Sequence, residues 1–128
     1  MKTRSTAALA LLAGAAIGVV AVQGLHAQTK APVYVVTETD ISDLDAFQKE
    51  YLPVVQPTIQ AAGGRRVAAG QNIVVLDGPS PGTRVAINEF DSLEQAQAFY
   101  KSAAWKDLTP KREKALKVLR QFIVEAAN

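Results

Sequence analysis

From Arg84 to Phe90 the chain alternates with a period of two. Val85, Ile87 and Glu89 point one way; Arg84, Ala86, Asn88 and Phe90 point the other. Both sets carry apolar groups, which predicts a strand covered on both faces, because a strand wet on one side shows a cleaner polar set. Asp91 is placed to end this strand and to cap a helix, with Glu94 three residues on as in a capping box. Leu93, Ala96, Phe99 and Tyr100 then recur at helical spacing. Ser102-Ala103-Ala104-Trp105 reads as an aromatic-bearing loop, and Thr109-Pro110 as the capped start of a second, short helix.

The flanking segments read as elements that pack around this stretch. Val33 to Thr39 is rich in β-branched residues and predicts a first strand. Ser42 is placed to cap a helix beginning at Asp43, whose apolar face is Leu44, Phe47, Tyr51, Val54, Val55 and Ile59. Pro53 and Pro57 interrupt that face and predict a kink, or two short helices meeting near Leu52. Gly63-Gly64 ends the segment as a left-handed cap requires. Arg65 to Ala69 and Ile73 to Leu76 read as short strands, followed by a Gly- and Pro-rich loop over 77–82. Lys117 to Glu125 reads as the last strand, with Leu119 and Ile123 on one side and Val118, Phe122 and Val124 on the other. The order predicts an α+β domain: a ferredoxin-like antiparallel sheet with helices on one face.

The N-terminus has a different character. Lys2 and Arg4 precede an uncharged apolar run from Ala7 to Val22, and Leu25-His26-Ala27 ends in a small residue. That layout predicts a signal peptide over residues 1–27, cleaved after Ala27, then a linker over 28–32 and a single domain over 33–126. The apolar run falls short of the roughly 20 residues a membrane span needs. The large Leu25 three residues before the cut leaves an uncleaved anchor as the alternative. The expected location is a bacterial periplasm or the medium, with no stable membrane association after cleavage.

Removing the leader changes the charge balance. The sequence holds 14 Lys plus Arg against 12 Asp plus Glu. Two of the bases lie in the leader, so the rest is balanced and a nucleic-acid partner loses its electrostatic support. The only histidine, His26, also lies in the leader, and the chain has no cysteine. The domain can therefore build no Ser-His-Asp or Cys-His system, no imidazole or thiolate metal site, and no disulfide. No metal and no cofactor are expected.

Several motifs in order carry a family likeness. These are Tyr51, Gly63-Gly64-Arg65, Val85-x-x-x-Glu89-Phe90, Ala96, Tyr100-x-Ser102-x-x-Trp105 and Arg112. Over about residues 33–126 the chain resembles the domain-of-unknown-function family 1330. The resemblance implies a ferredoxin-like monomer of the dimeric α/β-barrel superfamily, in which two sheets pair face to face. The chain departs from that pattern at Asp77-Gly78, where the family often has Glu-Gly. It departs again at Trp105, where tyrosine is common, and at Val124-Glu125-Ala126, where glycine is usual.

Five residues stand out as ligand-binding candidates: Arg65, Glu89, Tyr100, Trp105 and Arg112. Glu89 reads either as half of a structural ion pair with Arg65, Arg84 or Arg112, or as a ligand-binding or acid–base carboxylate. Tyr100 and Trp105, with Ser102, read as packing or dimer contact, or as the wall of a pocket. Arg112 reads as a brace or an anion site. Arg65 and Arg66 alternate in direction, so at most one of them faces a shared cavity. The expected protein is an exported homodimer binding a small ligand in or beside the barrel. The alternative is a cofactor-free oxygenase or isomerase of the same architecture.

Overall fold

A computed structural model describes residues 31–127. The expected leader and most of the expected linker lie outside the described residues. Strand β1 is Val33–Ile41 and is followed by a long helical segment, α1, over 44–61. Then come β2 (Arg65–Gly70), β3 (Arg84–Phe90), α2 (Leu93–Lys101), α3 (Ala103–Lys106), α4 (Thr109–Ala115) and β4 (Leu116–Glu125). The four strands form one antiparallel sheet in the order β2-β3-β1-β4. This is a ferredoxin-like arrangement. Among the described residues, no helix is long and apolar enough to cross a membrane.

The two prolines shape α1 as their chemistry requires. The segment runs α-helical over Leu44–Ala46, π-helical over Phe47–Tyr51 and α-helical over Leu52–Ala61. Pro53 has no N–H to donate, and its ring crowds the carbonyl one turn back. The widened turn, closed by the Leu52 N–H on the Phe47 carbonyl, sits immediately before it. The turn ends at Tyr51, beside the break expected near Leu52, and leaves both Phe47 and Tyr51 buried. Gly63, at φ +90°, and Gly64 close the segment, donating to the carbonyls of Gln60 and Ile59.

The caps differ by one residue from the expected ones. Asp43, not Ser42, caps α1, its Oδ1 accepting from the Ala46 N–H at 3.0 Å. Ser92, not Asp91, caps α2, its Oγ accepting from the Gln95 N–H at 3.2 Å. Gln95 fills the role expected of Glu94 and accepts from the Asp91 N–H at 3.1 Å. A neutral amide does more here than a carboxylate can, because its Nε2 also donates to the Ala62 carbonyl and ties α2 to the end of α1. Ser102 caps α3, so the expected loop is a short helix carrying Trp105. Leu108, not Thr109, occupies the cap position of α4, with Pro110 in its first turn.

The expected strand over Ile73–Leu76 does not form. Residues 71–83 make a long connection between neighbouring strands, and Val74 and Leu76 are 83% and 95% exposed. β-Branched residues favour a pleated, half-covered surface, and this segment has no neighbouring strand among the described residues to supply one. Its end is fixed: the Thr83 N–H donates to Asp40 Oδ1, and the Ile41 N–H donates to Thr83 Oγ1.

The core lies between the helices and one sheet face, built from Val33, Val35, Phe47, Val55, Ile59, Phe90, Phe99 and Leu116 among others. In β4 the alternation slips. Glu38 pairs with Arg120 and Thr39 with Val118, so Leu119 is bulged. Val118 therefore turns to the helix face, and only Phe122 and Val124 of the expected trio share the open face. The other side of the sheet carries Tyr34, Val36, Val85, Ile87, Phe122 and Val124 and is covered by no helix among the described residues.

Candidate functional site

Two strands and one helix bring three guanidinium groups into one space. A cavity of about 30 Å³ lies between the helix face of the sheet and the helices. The sheet contributes Thr37 and Thr39 from β1, Arg66 from β2, Asn88, Ala86 and Arg84 from β3, and Leu116 and Val118 from β4. The helices contribute Tyr51, Val55 and Ile59 from α1, Tyr100 from α2, Trp105 from α3 and Arg112 from α4. Pairing explains the sheet contribution. Arg66 lies opposite Asn88, and Ala86 opposite Thr37, so all four point to the same face.

Each arginine is held differently. Arg66 Nε donates to Asn88 Oδ1 at 3.4 Å. Arg84 is 8% exposed and stacks over the Phe47 ring at 4.8 Å. Arg112 stacks over Trp105 at 4.1 Å, and its Nη2 donates to Thr109 Oγ1 at 3.1 Å. The buried Nη1 atoms of Arg66 and Arg112 have no hydrogen-bond partner among the described residues. Among the described residues, no carboxylate lines the cavity.

The electrostatics follow from this composition. Burial pushes Arg66 and Arg84 below the usual guanidinium value, and Arg66 adds its repulsion to Arg84. Both remain charged at neutral pH, since arginine starts so high. Burial pushes Tyr51 up, against the pull of Arg112. Tyr100 is pushed up to about 12, chiefly by burial, with Asn88 acting the other way. At neutral pH both phenols keep their protons and can donate. The cavity is thus rich in cationic and neutral donors and offers no strong base.

The five expected ligand-binding residues divide between the two sheet faces. Tyr100, Trp105 and Arg112 line the cavity. Tyr100 and Trp105 meet edge to face with ring centroids 4.8 Å apart, and Phe99 touches both. Arg65 and Glu89 lie on the open face at the sheet edge, where Arg65 Nη2 is 3.3 Å from Glu89 Oε2 and 3.1 Å from Asp91 Oδ1. Glu89 has its charged partner there and does not meet the cavity. Arg66, Arg84, Asn88 and Tyr51, none of them among those five, also line the cavity. The signal for two of them was present, since Arg84 and Asn88 share the strand side of the core residue Phe90.

Residues 32–127 match the family described as Domain of unknown function (DUF1330). The chain belongs to this family. No curated protein has a sequence that matches it. Solved structures of the same fold include a protein of unknown function from Rhodopseudomonas palustris, at TM-score 0.61 and 16% identity, covering 84% of this chain and 92% of that one. HapK from Hahella chejuensis aligns at TM-score 0.55 and 14% identity, covering 74% and 92%. SnoaB, a cofactor-independent oxygenase from Streptomyces nogalater, aligns at TM-score 0.51 and 11% identity, covering 77% and 95%. At these identities the likeness is one of fold.

Proposed function

We propose that this DUF1330 protein is an exported homodimer that binds a small anionic molecule in the cavity of each protomer. One observation carries the ligand class: three guanidinium groups share a half-buried space that no carboxylate among the described residues lines. Uncompensated buried charge is expensive, and an anion entering the space would offset that cost. The two protonated phenols add donors for the same oxygen atoms.

Export rests on the charged start, apolar run and Ala27 of the leader. Dimer formation rests on the apolar sheet face that no helix among the described residues covers and on the exposed apolar segment from Val74 to Leu76.

A cofactor-free oxygenase or isomerase is the second reading. The same donors would stabilise an enolate oxygen, as an oxyanion hole does. The cavity wall offers no strong base to generate one, so a substrate would have to ionise readily by itself.

The test is a thermal-shift and calorimetric screen of the cleaved protein with oxyanions and their neutral amide or alcohol counterparts. Anions should raise the melting temperature in proportion to occupancy, and neutral counterparts should not. If no anion of any size binds at millimolar concentration, the reading is wrong. Oxygen consumption or product formation with a readily ionised substrate would favour the enzyme.

A further inference from the structure

We infer that the ligand is a compact planar oxyanion, the size of formate, nitrate, bicarbonate or acetate, gripped between Arg66 and Arg112. The inference rests on the anion-binding reading above and adds the ligand's size and the two groups that hold it.

Size comes from the free volume. About 30 Å³ is two to three times the roughly 10–15 Å³ that a cavity needs to hold one water, which is room for an ion of about three or four heavy atoms and small for an aromatic acid. Val55, Ile59 and Leu116 wall the space, and close-packed side chains of this kind do not give way without cost.

The grip comes from unused donors. Arg66 spends its Nε on Asn88 and Arg112 its Nη2 on Thr109, which fixes the direction of each planar head. Each then keeps a buried Nη1 with no partner among the described residues. A guanidinium donor in such a place loses its water and gains nothing until an acceptor arrives. Arg84 has a different part. Its head lies over the Phe47 ring, so it contributes field. A planar oxyanion matches two in-plane N–H donors better than a tetrahedral one does.

The test is isothermal titration of the full processed protein, in a chloride-free buffer, with formate, acetate, nitrate, bicarbonate, phosphate, benzoate and acetamide. One or more of the four small planar ions should bind, with phosphate and benzoate weaker by about tenfold or more. Arg66→Gln and Arg112→Gln should each weaken that binding about ten- to a hundredfold, the range for losing a charged hydrogen bond. Arg65→Gln, on the opposite face, should leave it unchanged.

A folding artefact is separable. Removing an uncompensated buried charge should hold or raise the melting temperature of the ligand-free Arg66→Gln protein while abolishing the rise that the anion produces. Arg66→Lys should keep part of the affinity. If benzoate binds and the small ions do not, the anion reading survives and the compact-ligand inference fails. The ligand would then extend into the groove along α4 and β4, which shares Arg112, Leu116 and Val118 with the cavity. Small ions that bind equally well to both glutamine variants overturn the gripping pair. Absence of binding by every anion overturns both readings.

Discussion

Arg65 and Arg66 are neighbours in sequence and serve opposite faces of the sheet. Arg65 reaches Glu89 and Asp91 at the exposed edge; Arg66 reaches Asn88 in the cavity. Strand alternation forces the division, and the β3 partners reproduce it, with Glu89 opposite Arg65 and Asn88 opposite Arg66. One consequence concerns Arg65→Gln. Its side chain is 52% exposed and its ion pairs are screened by water and salt. The substitution should move the melting temperature by about 3 °C at most and leave anion binding alone. Differential scanning calorimetry with and without ligand measures both. A large loss of binding would place Arg65 in the site.

Much of this division can be read from the chain, and particular residues show where reading stops. The period of two in β3 puts Arg84 and Asn88 beside Phe90 and sends Glu89 the other way, which is what the sheet does. The same rule says only one of Arg65 and Arg66 can enter, without naming it. Register decides that, and register is a tertiary property. Pro53 announces the break in α1 because its missing N–H is a local fact. The bulge at Leu119 announces nothing, since no glycine or proline marks it, yet it turns Val118 toward the helices. Ile73 to Leu76 has strand composition and lacks a partner, so composition misleads there.

Trp105 links the aromatic cluster to the cavity. It packs against Phe99 and Tyr100 and lies under Arg112, but it keeps part of its surface in solvent. Trp105→Ala should therefore cost about 2 kcal/mol, less than the ~3–5 of a fully buried aromatic. It should also weaken anion binding, because Arg112 loses the surface that orients it. Trp105→Phe should restore most of both. Urea melts and titration calorimetry separate the effects. If the alanine variant is as stable as the parent and binds as well, the ring is not an anchor.

Tyr100 should shape the alkaline limit of stability. The native phenol holds its proton to about 12, whereas the ordinary value is 10.0. Between those values the unfolded chain releases a proton that the folded chain keeps. Stability is whole below pH 10 and falls as pH rises towards 12. Tyr100→Phe removes this contribution, so its decline over the same interval should be shallower by up to one proton. Denaturant melts at a series of alkaline pH values give the slopes. Parallel declines in the two proteins would mean that Tyr100 ionises freely.

The open sheet face predicts a homodimer and the way to break it. Tyr34, Val36, Val85, Ile87, Phe122 and Val124 share that face, with Phe122 and Val124 38% and 49% exposed in the protomer. The connection over 71–83 adds apolar groups of its own to be covered, since Val74 and Leu76 stand in solvent. A soluble chain rarely leaves such a patch wet, and a two-fold contact between identical sheets covers both copies at once. Glu38 and Arg120 sit at one end of the face, joined by hydrogen bonds of 2.6 and 2.9 Å, and give the apolar patch a polar boundary. Ile87→Asp would bury two carboxylates near the middle of the contact without touching the helix-side core. Light scattering should give a dimer mass for the parent at micromolar concentration and a monomer mass for the variant, with far-ultraviolet circular dichroism unchanged. A parent that is already monomeric would reject the dimer. A variant that loses its helical signal would be unfolded, and Phe122→Asp, on the more exposed edge strand, would then decide the question in its place.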